Sequence, residues 1–80
     1  MGLSIDVDGN RRWYNLEGQL HRGNGPAVEY VNGDKFWYIE DQFHRLDGSA
    51  VEFRNGGKFW YVKGYYYTEE EFNLEIKKLS

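Results

Sequence analysis

The chain has 80 residues, a formal net charge of −3 and no cysteine. A domain of this size buries only about 60% of the surface that its unfolded chain exposes, so large side chains must supply the core, and seven Tyr, five Phe and three Trp are present. The absence of cysteine excludes disulfides, Cys-based zinc sites and thiol nucleophiles, and the acidic balance disfavours a nucleic-acid partner.

No apolar run in the sequence approaches the roughly 20 residues that a membrane helix needs. The first residues also lack the charged and then apolar profile of a signal peptide. We therefore expect a soluble, cytoplasmic protein with no membrane partner.

The sequence from Ser4 to Tyr66 recurs with a period of 23 residues. The segment 27–30 returns as 50–53, the segment 35–39 as 58–62, and the segment 19–22 as 42–45, and a degraded copy over 4–16 precedes them without a gap. A fixed period of this length predicts one supersecondary unit stacked on copies of itself, with atypical units at the ends.

Each unit contains two β-rich runs joined by a turn signal. Residues 27–31 and 35–39 flank Asn32 and Gly33, and Asn-Gly between such runs predicts a hairpin with a two-residue type I′ turn. A short strand over 42–45 follows, and the turn at 46–48 leads into the next unit. The sequence therefore predicts an antiparallel meander in which neighbours in sequence are neighbours in space.

A two-residue loop would place Tyr30 opposite Lys35 and Glu29 opposite Phe36. One face would then form the core: Ile5, Val7, Tyr14, Leu16, Val28, Tyr30, Trp37, Ile39, Val51, Phe53, Trp60 and Val62. The other face would be a mixed aromatic and acidic surface of candidate partner-binding residues: Trp13, Glu29, Phe36, Tyr38, Glu52, Phe59 and Tyr61. A register slip of one residue would exchange the two sets.

The end of the chain predicts a short helix. Thr68 and Glu71 have the spacing of a capping box, and Phe72, Ile76 and Leu79 form a narrow apolar stripe. We expect this helix to pack on part of the face of the predicted core. The predicted fold is mainly β, a repetitive antiparallel β-meander sheet over 1–67 with one short C-terminal α-helix over 68–80, in a single domain.

The chain's two histidines recur at the same place in successive units, each followed by an arginine: His21-Arg22 and His44-Arg45. These four residues could grip a phosphate-bearing ligand, or each His could hydrogen-bond turn backbone while each Arg pairs with a carboxylate such as Glu29, Glu52 or Asp47. No third ligand recurs for a metal. The carboxylates Glu29 and Glu52 lie on an open sheet without a cleft, so we expect neither an enzyme nor a cofactor.

The cycle of Trp-Tyr, His-Arg, Asn-Gly-Pro-Ala or Asp-Gly-Ser-Ala, Val-Glu and Asn-Gly resembles the His-Arg-x-Asp-Gly-Pro-Ala repeat of small proteins encoded by tailed bacteriophages, and it is distantly similar to MORN-type sheets. The resemblance covers nearly the whole chain. Here Asn24 stands for the usual Asp, Asp41 for the usual turn Gly, and Ser49 for the usual Pro. The resemblance implies a phage accessory protein that acts on host machinery or host immunity inside the bacterial cell.

Three functions remain open from the sequence. The protein could bind a host protein, such as a defence factor, through the aromatic and acidic face or through a sheet edge. It could sequester a small nucleotide signal between aromatic rings and Arg22 or Arg45, or it could be a structural component of a virion. Residual apolar surface would favour a homo-oligomer.

Overall fold

The computed structural model describes residues 2–79, and the outer ends of the two predicted segments, Met1 and Ser80, lie outside the described residues. The predicted fold class is confirmed: the structure is an antiparallel sheet followed by one helix. Its elements are β1 (Leu3–Ile5), β2 (Arg11–Trp13), β3 (Val28–Glu29), β4 (Lys35–Phe36), β5 (Tyr38–Ile39), β6 (Gln42–Phe43), β7 (Val51–Glu52), β8 (Lys58–Val62), β9 (Tyr65–Tyr67) and α1 (Glu69–Leu79).

Seven strands form one sheet in the order β1-β2-β3-β4-β7-β8-β9, with every adjacent pair antiparallel. β5 and β6 form a separate hairpin between β4 and β7, because the run 35–39 is interrupted at Trp37 and its second half pairs with β6. The chain measures 40 × 31 × 17 Å. These dimensions describe a single-layered sheet with few interior positions.

The predicted hairpin register is wrong by one residue. Glu29 pairs with Lys35 and Val28 with Phe36, because the connection has three residues and Tyr30 N–H donates to Asp34 O at 2.9 Å. Within this loop only Gly33 takes a positive φ, of 105°, as expected for a turn closed by a glycine bulge. Glu29 and Phe36, which a two-residue loop would place on the same face of the sheet, therefore lie on opposite faces.

Two-residue loops with positive φ at both positions occur elsewhere in the chain. Glu40 and Asp41 have φ values of 50° and 66°, and Lys63 and Gly64 have values of 51° and 83°. They join β5 to β6 and β8 to β9. Both loops therefore have the type I′ character that the sequence pattern predicted for Asn-Gly.

The first copy is not in gapless register with the others. Trp13 N–H donates to Ala27 O, and Trp37 N–H donates to Ala50 O, so Trp13 corresponds to Trp37 and not to Phe36. The extra residue lies in the loop 16–18, which has three residues where the loop after Ile39 has two. Three predicted core residues of this copy are consequently exposed: Ile5, Val7 and Leu16.

The buried core consists mainly of small side chains and not of the predicted row of rings. Its apolar members are Ala27, Val28, Ala50, Val51, Val62 and Phe72. Trp37 and Trp60 are half-buried, Phe53 is 37% exposed, and no large side chain of residues 2–79 falls below 2% exposure. Within residues 2–79 only α1 covers part of the sheet, at β8 and β9, and the rest has no second layer to enclose large residues, which explains the difference.

The C-terminal helix confirms the predicted capping box. Thr68 N–H donates to a carboxylate oxygen of Glu71 at 2.9 Å, and Glu71 N–H donates to the Thr68 hydroxyl at 3.2 Å. α1 contacts β8 and β9 and buries Phe72, whereas Leu79 remains 61% exposed, so the apolar stripe is shorter than predicted. No helix within residues 2–79 is long and apolar enough to cross a membrane.

Candidate functional site

The observed register divides the predicted partner-binding surface between the two sides of the sheet. Because Val28 pairs with Phe36 and Glu29 with Lys35, Phe36 points to the side opposite Glu29. The aromatic candidates Phe36, Tyr38, Phe59 and Tyr61 gather on one side, and Trp13, Glu29 and Glu52 gather on the other.

The first side carries a continuous group of eight aromatic rings, which we call the aromatic face: Tyr30, Phe36, Tyr38, Phe43, Phe53, Phe59, Tyr61 and Tyr66. Ring centroids of contacting pairs are 4.5 to 6.3 Å apart. The closest pair, Tyr38 and Phe43, is stacked, while Phe36 meets both Tyr30 and Phe53 edge to face. These geometries are the favourable ones for aromatic pairs.

Two buried valines, Val28 and Val51, lie on the same side of the sheet as the rings of the aromatic face. Val51 pairs with both Phe36 and Phe59 and is only 4% exposed. The three exposed rings belong to the C-terminal part of the face, with Phe53 at 37%, Phe59 at 40% and Tyr66 at 56%, whereas Tyr61 among them is half-buried. Part of this face therefore serves the fold, and its C-terminal part remains open to solvent.

Burial raises the pKa of Tyr38, and the neighbouring Tyr30 and Asp41 raise it further. Its hydroxyl therefore remains protonated at neutral pH and can donate a hydrogen bond. Tyrosines of this kind offer a partner an apolar ring and a polar tip together.

The second side, which we call the arginine face, is built from two stacks of arginine on tryptophan. The guanidinium carbon of Arg22 lies 3.7 Å from the Trp13 ring centroid, and that of Arg45 lies 3.9 Å from the Trp37 ring centroid. A Cβ added to Gly48 would lie 2.9 Å from the guanidinium carbon of Arg45. The backbone thus approaches the arginine closely, as it does at Gly25 beside Arg22.

Carboxylates and carbonyls surround both guanidinium groups. Arg45 contacts Asp47 at 2.8 Å and Glu52 at 3.0 Å, and it donates to Ser49 O at 3.0 Å. Arg22 lies 3.6 Å from Glu29 and donates to Pro26 O at 3.1 Å. The hydrogen bond from Arg45 lowers the pKa of Asp47. Both arginines are therefore held and largely neutralised by their own chain.

The sheet register also gives the arginine face a row of alternating charge. Glu29 pairs with Arg11 and Lys35, and Glu52 pairs with Lys35 and Lys58. Opposite charges on directly paired residues stabilise a sheet modestly. The row makes this side a solvated, charged surface, in contrast to the aromatic face.

Both histidines hydrogen-bond turn backbone, as the structural interpretation of the sequence expects. His21 Nδ1 accepts from Glu40 N–H at 3.1 Å, and His44 Nδ1 accepts from Lys63 N–H at 2.9 Å. Burial lowers the pKa of His44, and the charge of Lys63 lowers it further. The neutral His44 ring therefore accepts the Lys63 N–H at Nδ1.

Three of the four candidate ligand residues share one groove. A groove of about 580 Å³ is lined by Arg22, Gly23, Asn24, Gly25, Trp37, Ile39, His44, Arg45, Leu46 and Asp47. His21 is not among the lining residues. The groove is large enough for a small ligand, but its two cations are already paired with carboxylates.

Sequence reasoning missed four rings of the aromatic face: Tyr30, Phe43, Phe53 and Tyr66. A two-residue loop predicts that Tyr30 and Phe53 lie in the core. A three-residue loop, applied to the same period-2 rule, puts both beside Phe36.

The described residues contain no group of three or more side chains that could hold a metal ion. Each paired carboxylate of the arginine face, Glu29 or Glu52, contacts an arginine and lies on an open sheet. No protein-family model, curated protein or solved structure matches this chain.

Proposed function

We propose that this protein is a non-enzymatic binding protein that engages another protein through the aromatic face. The observation that carries the proposal is the open cluster of Phe53, Phe59 and Tyr66, which are 37%, 40% and 56% exposed on one side of a single-layered sheet. Exposed aromatic residues in a contiguous patch supply most of the binding energy at many protein interfaces.

The contrast between the two sides of the sheet supports this choice. The arginine face satisfies its charges internally, through Arg22 with Glu29 and Arg45 with Glu52. The rings of the aromatic face contact one another, and Phe59, between Phe53 and Tyr66, remains 40% exposed to solvent. An apolar centre with a polar rim is the usual anatomy of a protein interface.

The resemblance of the repeats to small proteins of tailed phages supports a bacterial host protein, such as a defence or immunity factor, as the partner. Within this proposal the protein acts in the host cytoplasm, by binding alone. Its histidines engage turn backbone and its paired carboxylates engage arginines, which agrees with a role that involves no catalysis.

The test compares two double variants with equal numbers of alanines. Phe59→Ala with Tyr66→Ala truncates the exposed rings, and Leu16→Ala with Leu46→Ala truncates residues of similar or greater exposure outside the aromatic face. Tagged proteins are expressed in the bacterial host, captured, and compared by quantitative mass spectrometry. A polypeptide retained by wild type and the leucine variant but lost at least tenfold by the ring variant supports the proposal, and equal retention by all three contradicts it.

The groove beside Trp37 supports a second candidate, a protein that sequesters a small nucleotide. Its lining includes Arg22, His44 and Arg45, and Arg45 stacks on the Trp37 indole. A nucleotide would have to compete with Glu29, Glu52 and Asp47 for the guanidinium groups, which makes this candidate the weaker one. Native mass spectrometry of protein purified from nucleotide-exposed cells tests it, since a bound small ligand lost in Arg45→Ala would support it.

A further inference from the structure

We propose that, in the free protein, a second copy of this chain covers the aromatic face, so that two sheets pack against each other and close the surface until the copies separate. The dimer is inferred from the structure of one chain. Its role in closing a docking surface rests on the proposed function.

The first argument is the missing second layer. A sheet with an apolar side reaches a stable arrangement by packing that side against another element. α1 contacts β8 and β9, yet Phe59 on β8 and Tyr66 on β9 remain 40% and 56% exposed. The helix therefore leaves the aromatic face open, and a second sheet at about 10 Å would enclose it as in a β-sandwich.

The second argument is charge. A twofold dimer brings each surface patch against a copy of itself or its neighbours, so a face that carries unpaired charges would repel its copy. Asp34 and Arg54, which carry opposite charges, border the aromatic face beside Phe53. At another edge Arg12 lies over Tyr30 and pairs with Asp6 at 3.1 Å. Hydrogen bonds from Asn10 and Arg12 lower the pKa of Asp6 to about 2, which keeps this pair ionised and internally balanced.

The charged row on the other side makes a copy a poor partner for the arginine face. There Lys35 lies between Glu29 and Glu52, and burying that row would remove charged side chains from water at a cost that apolar rings do not incur. Self-association is therefore directed to the aromatic face.

The third argument is area, which also sets the expected strength. With roughly 200 Å² for each aromatic side chain, the exposed fractions of Phe53, Phe59 and Tyr66 leave roughly 250 Å² of open ring surface. The partly exposed rings beside them add to it. A standard interface buries roughly 800 Å² on each partner, so the open rings alone fall below the standard range, and we expect a weak dimer that forms only toward the upper end of accessible protein concentrations.

Sedimentation velocity over a concentration series from about 1 to 500 μM tests the inference. Wild-type protein should pass from the 9.5 kDa monomer to a species of twice that mass. Phe59→Glu should remain monomeric over the series, because a dimer would bury two unpaired carboxylates. Tyr66→Glu, at the more exposed ring, provides a second variant if Phe59→Glu fails to fold, with circular dichroism as the check.

The matched control is Leu46→Glu, which places the same charge at a residue of similar exposure, 46%, in the groove of the other side. It should dimerise as wild type does. A wild type that stays monomeric at the highest concentration overturns the inference. So does a dimer that survives in the folded ring variants, or one that Leu46→Glu also dissociates.

The dimer and the proposed function fail separately. Capture of a polypeptide that depends on Phe59 and Tyr66 by a wild type that never dimerises would overturn the dimer and leave the function. A dimer that depends on Phe59, without any captured polypeptide that does, would overturn the function and leave the dimer. When both hold, the apparent affinity for the partner should fall as wild-type concentration rises above the dimer dissociation constant, because fewer chains expose the face.

Discussion

The guanidinium of Arg45 lies over the indole of Trp37, with 3.9 Å between the guanidinium carbon and the ring centroid. Asp47 and Glu52 hold the same guanidinium from its edges. Arg22 and Trp13 form the same pair in the preceding unit. The arginine of the recurring His-Arg motif therefore has a structural role in these two units, because it stacks on a tryptophan and pairs with a carboxylate.

Replacing Arg45 by lysine tests whether this role depends on the planar fork. Lysine keeps the charge but cannot stack and bond several acceptors in one plane, so Arg45→Lys should lower the free energy of unfolding by about 1–2 kcal/mol. Urea denaturation at neutral pH measures the change. Arg54→Lys is the control, since the exposed Arg54 forms no ion pair within residues 2–79, and equal stability of both variants and wild type would refute the role.

The close approach of Gly48 to Arg45 predicts an unusual response to alanine. Gly48 has no positive φ, so alanine is compatible with its backbone. Its Cβ would nevertheless lie 2.9 Å from the guanidinium carbon of Arg45, and Gly48→Ala should cost about 1 kcal/mol of unfolding free energy as the arginine is displaced. In an Arg45→Ala background the same change should be neutral or stabilising, and urea denaturation of the four proteins measures this coupling.

Gly23 provides the control for this cycle. It too has no positive φ, and a Cβ added there meets nothing within 4 Å. Gly23→Ala should therefore stabilise the protein by about 0.5 kcal/mol through the unfolded chain. If Gly48→Ala lowers the free energy of unfolding by the same amount in the Arg45→Ala background as in wild type, the close approach to Arg45 is not the cause.

The loop between β5 and β6 should be open to improvement. Glu40 takes a φ of 50°, a conformation that asparagine adopts more readily than glutamate. Glu40→Asn should raise the free energy of unfolding by about 0.5 kcal/mol, measured by thermal and urea denaturation. Glu17→Asn, in the corresponding loop of the first copy where the positive φ falls on Gly18, should give no gain, and an equal gain at both sites would argue against the turn as the reason.

Fold class, strand positions and helix start could be predicted because each depends on local patterns. The capping box of Thr68 and Glu71 uses a fixed spacing, and the apolar runs mark most of the strands. The register of the hairpin could not be predicted, because it depends on whether Asn32 adopts a positive φ as Gly33 does. Asn32 Oδ1 instead accepts Asp34 N–H at 2.9 Å, and Asp34 in turn accepts Arg54 N–H at 2.7 Å from the next unit.

The candidate site was divided for the same reason. The number of residues in the loop decides whether Glu29 lies on the same side of the sheet as Phe36 or on the opposite side. The local sequence is compatible with both a two-residue and a three-residue loop. The arginine stacks left a clearer signal, since Arg22 and Arg45 recur in units that also carry Trp13 and Trp37. A gapless 23-residue period aligns Trp13 with Phe36 and so hides the correspondence of Trp13 with Trp37.

The hydrogen bond from Lys63 N–H to His44 Nδ1 predicts a pH dependence, since protonation of that nitrogen removes the acceptor. Burial and the charge of Lys63 lower the pKa of His44 below its ordinary value of 6.5. As pH falls below 6.5, the unfolded chain therefore binds a proton before the folded chain does. The stability linked to His44 is present above pH 6.5 and is lost as pH falls through the folded pKa.

Urea denaturation between about pH 7.5 and pH 5 measures this loss, in a range well above the ordinary carboxylate value of 3.8 that Asp6 and Asp47 would have in the unfolded chain. His44→Gln retains an acceptor oxygen and cannot titrate, so the stability of wild type relative to this variant should decrease toward pH 5. An NMR titration of the His44 ring gives the pKa directly. A value at or above 6.5, or a stability difference that is constant across the range, would mean that the neutral ring is not what the β8–β9 turn requires.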